Sequence, residues 1–135
     1  MISTAFPAIV LKSGSDRVAI PVEVTFTYDA DYDPFAVQML VEAPGEPDVV
    51  WYFSRELLLR GVNSFTPVGS GDVKFRYDGS DRLLMCLRTP EGHADLGLPH
   101  GRVGGFLQET LELASASVEC PVEMIDNLIE EILNG

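Results

Sequence analysis

Two stretches set the order of elements for the whole chain: Thr25-Phe26-Thr27-Tyr28-Asp29-Ala30-Asp31-Tyr32-Asp33-Pro34-Phe35-Ala36-Val37, and Trp51-Tyr52-Phe53-Ser54-Arg55-Glu56-Leu57-Leu58-Leu59-Arg60-Gly61. In the first, alternation runs to Tyr28, halts at an acidic turn closed by Pro34, and resumes at Phe35. That predicts two strands joined by a turn in which Asp side chains cap their own backbone and Pro34 fixes the restart. In the second, a strand of aromatics feeds a short helix over 55–60, with Ser54 as N-cap and Gly61 as the residue that permits a left-handed stop.

Working outward, residues 4–12 and 17–28 read as a hairpin turned at 13–16, with Val18, Ile20, Val22, Val24 and Phe26 on one face. Phe35, Val37, Met39 and Val41 line a third strand, and residues 43–48 turn the chain into a fourth at 49–53. There Val49, Trp51 and Phe53 oppose Val50 and Tyr52, the pattern of a strand covered on both sides, with Trp51 and Phe53 placed in the core. After a Gly/Pro/Asn-rich loop at 61–72, Val73, Phe75 and Tyr77 alternate with Lys74, Arg76 and Asp78. Turns at 78–81 and 89–92 then set off strands near 83–88 and 93–98. The last third changes period: Val103, Phe106, Leu107, Thr110, Leu111 and Ala114 recur at helical spacing. Val122, Ile125, Leu128, Ile129, Ile132 and Leu133 do so again after Pro121. Nothing divides the chain, so 1–135 reads as a single α+β domain of four strands, a helix, three strands and two C-terminal helices.

With 21 acidic against 9 basic residues among 135, the net charge is -12. A polyanionic surface works against nucleic acid, whose affinity comes largely from Lys and Arg displacing counterions. Arg102 is the last basic residue, and Glu109, Glu112, Glu119, Glu123, Asp126, Glu130 and Glu131 follow it on what reads as a solvated helix face. Two cysteines without a secretory leader suggest a reducing compartment, and Ala5 to Leu11 is too short an apolar run to span a bilayer. A cytoplasmic protein with no membrane insertion is expected.

The candidate chemical sites dissolve one by one. His93, Asp95 and His100 lack the geometry of a metal cluster, since a Pro and a turn separate His100 from the other two. Asp29, Asp31 and Asp33 begin like a calcium loop, but Pro34 and Leu40 stand where that loop needs Gly and Glu. Gly69-Ser70-Gly71-Asp72 lacks the Lys-Ser/Thr of a phosphate loop, leaving Gly71 a structural turn residue. Cys86 lies in an apolar run, where burial raises a thiol's pKa and lowers its reactivity. No catalytic residue, metal or cofactor is expected. What remains is an interaction surface: Arg55 and Arg60 are the best-placed cations of an acidic protein, either for a partner, together with Asp31 and Asp33, or for pairing with the Asp29/Asp31/Asp33 turn.

The two opening stretches, with Gly69-Ser70-Gly71-Asp72-Val73 and Thr89-Pro90-Glu91-Gly92 after them, resemble the SsgA-like family of actinobacterial proteins tied to sporulation-specific cell division, nearest to its SsgB type. The resemblance runs in order from about residue 5 to the C-terminus. It implies two antiparallel sheets, of about four and three strands, on a scaffold similar to the whirly type and assembled as a homotrimer. It implies further a non-enzymatic adaptor that marks septum sites, acts with an SsgA-type relative, and helps recruit and polymerise the tubulin-like GTPase FtsZ. The alternative on such a scaffold is single-stranded nucleic-acid binding, which wants a basic groove with stacking aromatics. Labelled single-stranded DNA or RNA is therefore expected to bind more weakly than micromolar near physiological salt. Fluorescence anisotropy checks this, and tight, salt-sensitive binding would promote the alternative.

Overall fold

Period-two alternation becomes strands and period-3.6 spacing becomes helices along the computed structural model, which describes residues 1–12, 18–69, 71–90 and 92–117. The elements are β1 (Ile2–Lys12), β2 (Val18–Tyr28), β3 (Ala36–Glu42), β4 (Val49–Ser54), α1 (Arg55–Gly61), β5 (Val73–Tyr77), β6 (Arg82–Thr89), β7 (Gly92–Pro99) and α2 (His100–Ser117). The turn expected at 13–16, the second C-terminal helix and Cys120 lie outside the described residues.

All seven strands form one antiparallel sheet in the order β4-β3-β2-β1-β7-β6-β5, so the two sheets expected from the resemblance are here continuous. The join is short: Ile9↔Gly97, Val10↔Leu96 and Leu11↔Asp95 pair the second half of β1 with β7, while β1 pairs with β2 along its whole length. A strand has two edges, and its alternation reveals its faces but not its second neighbour. The sheet also curls. Phe53 on β4 and Phe75 on β5 lie at opposite ends of the strand order, yet their rings meet edge-on at 5.3 Å.

The inner face carries Phe6, Val24, Phe26, Val37, Met39, Phe75, Leu83, Met85, Leu96 and Leu98, all buried. Across it runs α2, touching β1, β6 and β7 and burying Val103, Phe106 and Leu107 at helical spacing. Between β7 and α2 there is no connecting residue: Pro99 ends the strand and His100 starts the helix, three residues before the first apolar position that the periodicity offered. The His100 N–H donates to the Asp81 carbonyl at 2.8 Å, and its ring stacks on Tyr77 at 3.9 Å, with Phe65 on the far side of Tyr77 at 5.8 Å.

Several positions differ from expectation for identifiable reasons. Phe35 falls outside β3 and is 78% exposed, because β3 begins at Ala36 and the Phe35 N–H is held by the Asp33 carboxylate within the turn. β4 is an edge strand and not covered on both sides: Phe53 is buried and Trp51 half-buried, but Val50 and Tyr52 stand open on the outer face. Gly61 does not stop α1 with a left-handed turn; it lies within the helix, and Val62 caps it in a right-handed conformation. Glycine is needed at 61 because a Cβ there would lie 2.4 Å from Phe75 Cβ. In the 69–72 loop the constraint sits on Gly69, with φ +129° and a Cβ position 2.4 Å from the Val73 carbonyl oxygen, whereas Gly71 faces open space.

Other turn expectations hold. Gly79 (φ +85°) and Gly92 (φ +138°) occupy positive φ in the two later turns. The Asp78 carboxylate accepts the Ser80 N–H at 2.8 Å and the Arg82 N–H at 3.2 Å, and the bond from Ser80 is the main reason its pKa lies below the ordinary value.

Gly61→Ala is expected to destabilise the protein by roughly 1–3 kcal/mol through overpacking against Phe75. Gly71→Ala should stay within about 0.5 kcal/mol of the parent. Denaturant melts of the two variants side by side check the pair.

Candidate functional site

The turn between β2 and β3 is built by its own side chains. Asp29 accepts the Asp31 N–H at 3.1 Å through Oδ1, its carbonyl accepts the Asp33 N–H at 2.9 Å, and Asp33 Oδ1 accepts the Phe35 N–H at 3.0 Å. This is the Asp self-capping expected of the sequence, and it uses those carboxylates as turn formers. Tyr28, buried at the end of β2, donates its hydroxyl to the Pro34 carbonyl at 3.0 Å and staples the turn closed.

The start of α1 docks on that turn. Ser54 accepts the Leu57 N–H at 3.2 Å as N-cap, and the Arg55 N–H donates to the Phe35 carbonyl at 2.8 Å. The Arg55 guanidinium then stands over the Tyr28 ring, 5.6 Å from its centre, and donates to Thr110 Oγ1 on α2 at 3.5 Å. Thr110 is fully buried, and its hydroxyl donates a hydrogen bond to the Leu107 carbonyl at 2.7 Å. Burial raises the Tyr28 pKa, the Arg55 charge opposes that rise, and Asp33 adds to it. Arg55, Tyr28 and Asp33 thus form one joint that ties turn, helix α1 and helix α2 together.

The two arginines have separate fates. Arg55 is half-buried in this joint, while Arg60 is exposed in the last turn of α1, where a cation suits the helix's negative end. Arg60 lines an open groove of about 550 Å³ with Tyr52, Glu56, Gly69 and Asp72. Near the joint, Tyr32 is 88% and Phe35 78% exposed, and Asp31 is exposed beside them. Pro34 serves the fold through its carbonyl.

Among the described residues no three His, Cys, Asp or Glu side chains gather as metal ligands. Burial, then a hydrogen bond with Asp95, pushes the Cys86 thiol pKa upward, away from a nucleophile's range. His93 is an exposed strand residue, and His100 Nε2 meets the Val62 carbonyl at 2.9 Å. Sequence reasoning missed the Tyr28–Arg55–Thr110 joint and the Phe65–Tyr77–His100 stack, both of which link residues far apart in the chain. The one signal for the first was a Tyr ending a strand and a Thr at a core helical position. No described helix is long and apolar enough to cross a membrane.

Residues 22–119 match the family model for "Streptomyces sporulation and cell division protein, SsgA". A sporulation-specific cell division protein of Frankia casuarinae is 40% identical over 97 residues, which are 70% of this chain and 63% of that protein, so the chain spans less than two thirds of it. SsgB of Salinispora tropica, also a sporulation-specific cell division protein, is 31% identical over 89% of this chain and 85% of its own. The fold is similar to that of Streptomyces coelicolor SsgB, mutations in which correlate with longitudinal cell division during sporulation (TM-score 0.66, 28% identity, 81% of this chain and 86% of that one). It is similar as well to an SsgA-like sporulation-specific cell division protein of Thermobifida fusca (TM-score 0.70, 26% identity, 98% and 95%).

Tyr28→Phe is expected to cost about 0.5–1.5 kcal/mol by removing the hydroxyl bond to Pro34. Because the folded-state pKa of Tyr28 is raised, its proton-linked stabilisation is fully present below the ordinary value of about 10 and is lost as pH rises through the folded value. The stability gap between parent and variant should therefore narrow above about pH 10, as urea melts over an alkaline series will show.

Proposed function

The chain belongs to the SsgA family of sporulation and cell division proteins, and from that membership we propose that it is a non-enzymatic adaptor of sporulation-specific cell division. The observation that carries this reading is the continuous family match from β2 through the end of α2, on a fold shared with SsgB. In this reading the protein works in the cytoplasm at future septum sites, acts with an SsgA-type relative, and helps recruit FtsZ and promote its polymerisation. A non-enzymatic role is supported by the way the polar residues are spent: Asp29, Asp33 and Asp78 cap turns, Ser54 caps α1, and His100 anchors α2.

The adaptor acts as a homotrimer. Three copies of a weak contact, presented together to a repeating filament, gain avidity of about 10² to 10⁴ over one. Arg60 is the better docking cation of the pair read from the sequence, since it is exposed while Arg55 supports the fold, and a local cation offsets repulsion between two acidic surfaces. The exposed Asp31, with Asp33 at the β2–β3 turn, supplies the acidic members of that contact.

Co-sedimentation with polymerised FtsZ tests the reading. The purified protein is expected in the pellet, and Arg60→Glu should move it to the supernatant with its melting temperature unchanged. Wild-type protein that stays in the supernatant would sink the FtsZ role, and full pelleting of the Arg60 variant would move the contact elsewhere.

A further inference from the structure

The outer face of the sheet is segregated by charge. On β1 to β4 its charged positions among the described residues are Glu23 and Glu42, which the β2–β3 register sets directly opposite one another. Like charges so placed repel, so this half of the face lacks a counter-charge of its own. Beside them an open groove of about 710 Å³ adds Asp48, and its lining includes Ala5, Pro7, Pro21 and Pro44. Towards the β4 edge the same face continues with Leu40, Val50 and Tyr52, the last two 46% and 66% exposed.

On β5 to β7 the sign is reversed. Inward Phe75, Leu83, Met85 and Leu87 leave Lys74, Arg76, Arg82 and Arg88 on the outer face, where Asp95 is the one carboxylate among the described residues. Between these cations lie half-buried Leu84 and Cys86 and the bare backbone of Gly97, over which Arg82 extends. Among the described residues the outer face of β5–β7 carries no Phe, Tyr or Trp for a base to stack on, so its cations lack the companion of a single-strand site. Because the curl brings the β4 and β5 edges together, the acidic and basic halves belong to one continuous wall facing different ways.

We propose that a second copy of this chain docks here, its basic β5–β7 face on the acidic, proline-lined β1–β4 face of its neighbour. A twofold contact that seats one half on its own copy would set acid on acid or base on base; a head-to-tail contact of the two halves pairs the signs, and head-to-tail contacts close into rings when the rotation permits. The inference rests on the oligomer of the preceding reading and assigns its interface. Apolar Val50 and Leu40 on one side meet Leu84 on the other, which gives the contact a desolvated centre within a charged rim.

Light scattering on a sizing column, with four proteins, tests it. The wild type is expected as an oligomer, and Glu23→Lys/Glu42→Lys and Lys74→Glu/Arg76→Glu should each fall to the 14.8 kDa of one chain. The fourfold swap should recover the oligomer, which also proves that the substitutions leave the fold intact. Zero-length carbodiimide coupling of the wild type should join Lys74 to Glu23 or Glu42 within the oligomer band. A monomeric wild type would overturn the oligomer itself. A wild-type oligomer that survives both double reversals, without the Lys74 cross-link, overturns this interface and leaves the oligomer standing. Double mutants that stay monomeric while the fourfold swap does too also count against the pairing.

Discussion

Everything in this structure hangs on the Phe26 ring. From the middle of β2 it meets Phe6 at 5.1 Å, Phe53 at 5.5 Å and Phe106 at 5.4 Å, each edge-on, and Phe53 hands the contact to Phe75. Four strands and α2 thereby share one chain of aromatic contacts, in the tilted geometry that ring quadrupoles favour. The curl of the sheet, the seat of α2 and the approach of the β4 and β5 edges are all consequences of filling the space around that ring. Gly61 belongs to the same arrangement, since α1 can lie against Phe75 only if nothing projects from its last turn.

The inside is spent on closure, and the large exposed side chains Tyr32, Phe35, Tyr52 and Phe65 lie outside it. The grooves described above are open, and Asp29 and His100, which look chemical in the sequence, are engaged in capping and in hydrogen bonding. By its family the protein has its place among sporulation and cell division proteins. Its acidity then becomes a matter of distribution: the net charge of -12 hides a basic wall formed by β5 and β6.

Much of the architecture was legible in the sequence because it is local. Alternation gave the strands, Asp-Pro and Asp-Gly turns gave their ends, Ser54 gave the start of α1, and Phe106 and Leu107 gave the inner face of α2. What escaped was non-local. Nothing in residues 9–11 says that β7 lies on their free side, so the strand pattern offered no check on the two sheets that the resemblance implied. Trp51 and Tyr52 look alike as strand aromatics, and only the position of β4 at an edge leaves Tyr52 uncovered. Gly61 reads as a helix stop until Phe75 is brought beside it. Arg55 looked like a free cation because Tyr28 and Thr110, its partners, are 27 and 55 positions away.

The direct passage from β7 to α2 fixes the helix's phase. With no residue between Pro99 and His100, the rotational setting of α2 is inherited from the strand pleat, and one inserted residue would turn the helix by about 100° and carry Phe106 away from Phe26. The β3–β4 turn is the opposite case: Gly45 has φ +77° with open space around it, and the turn spans an outer edge. Length variation in such a scaffold should therefore collect at turns like the latter and be shut out of the strand-to-helix junction, which makes that junction a ruler for aligning distant relatives and the turn a place to graft a tag.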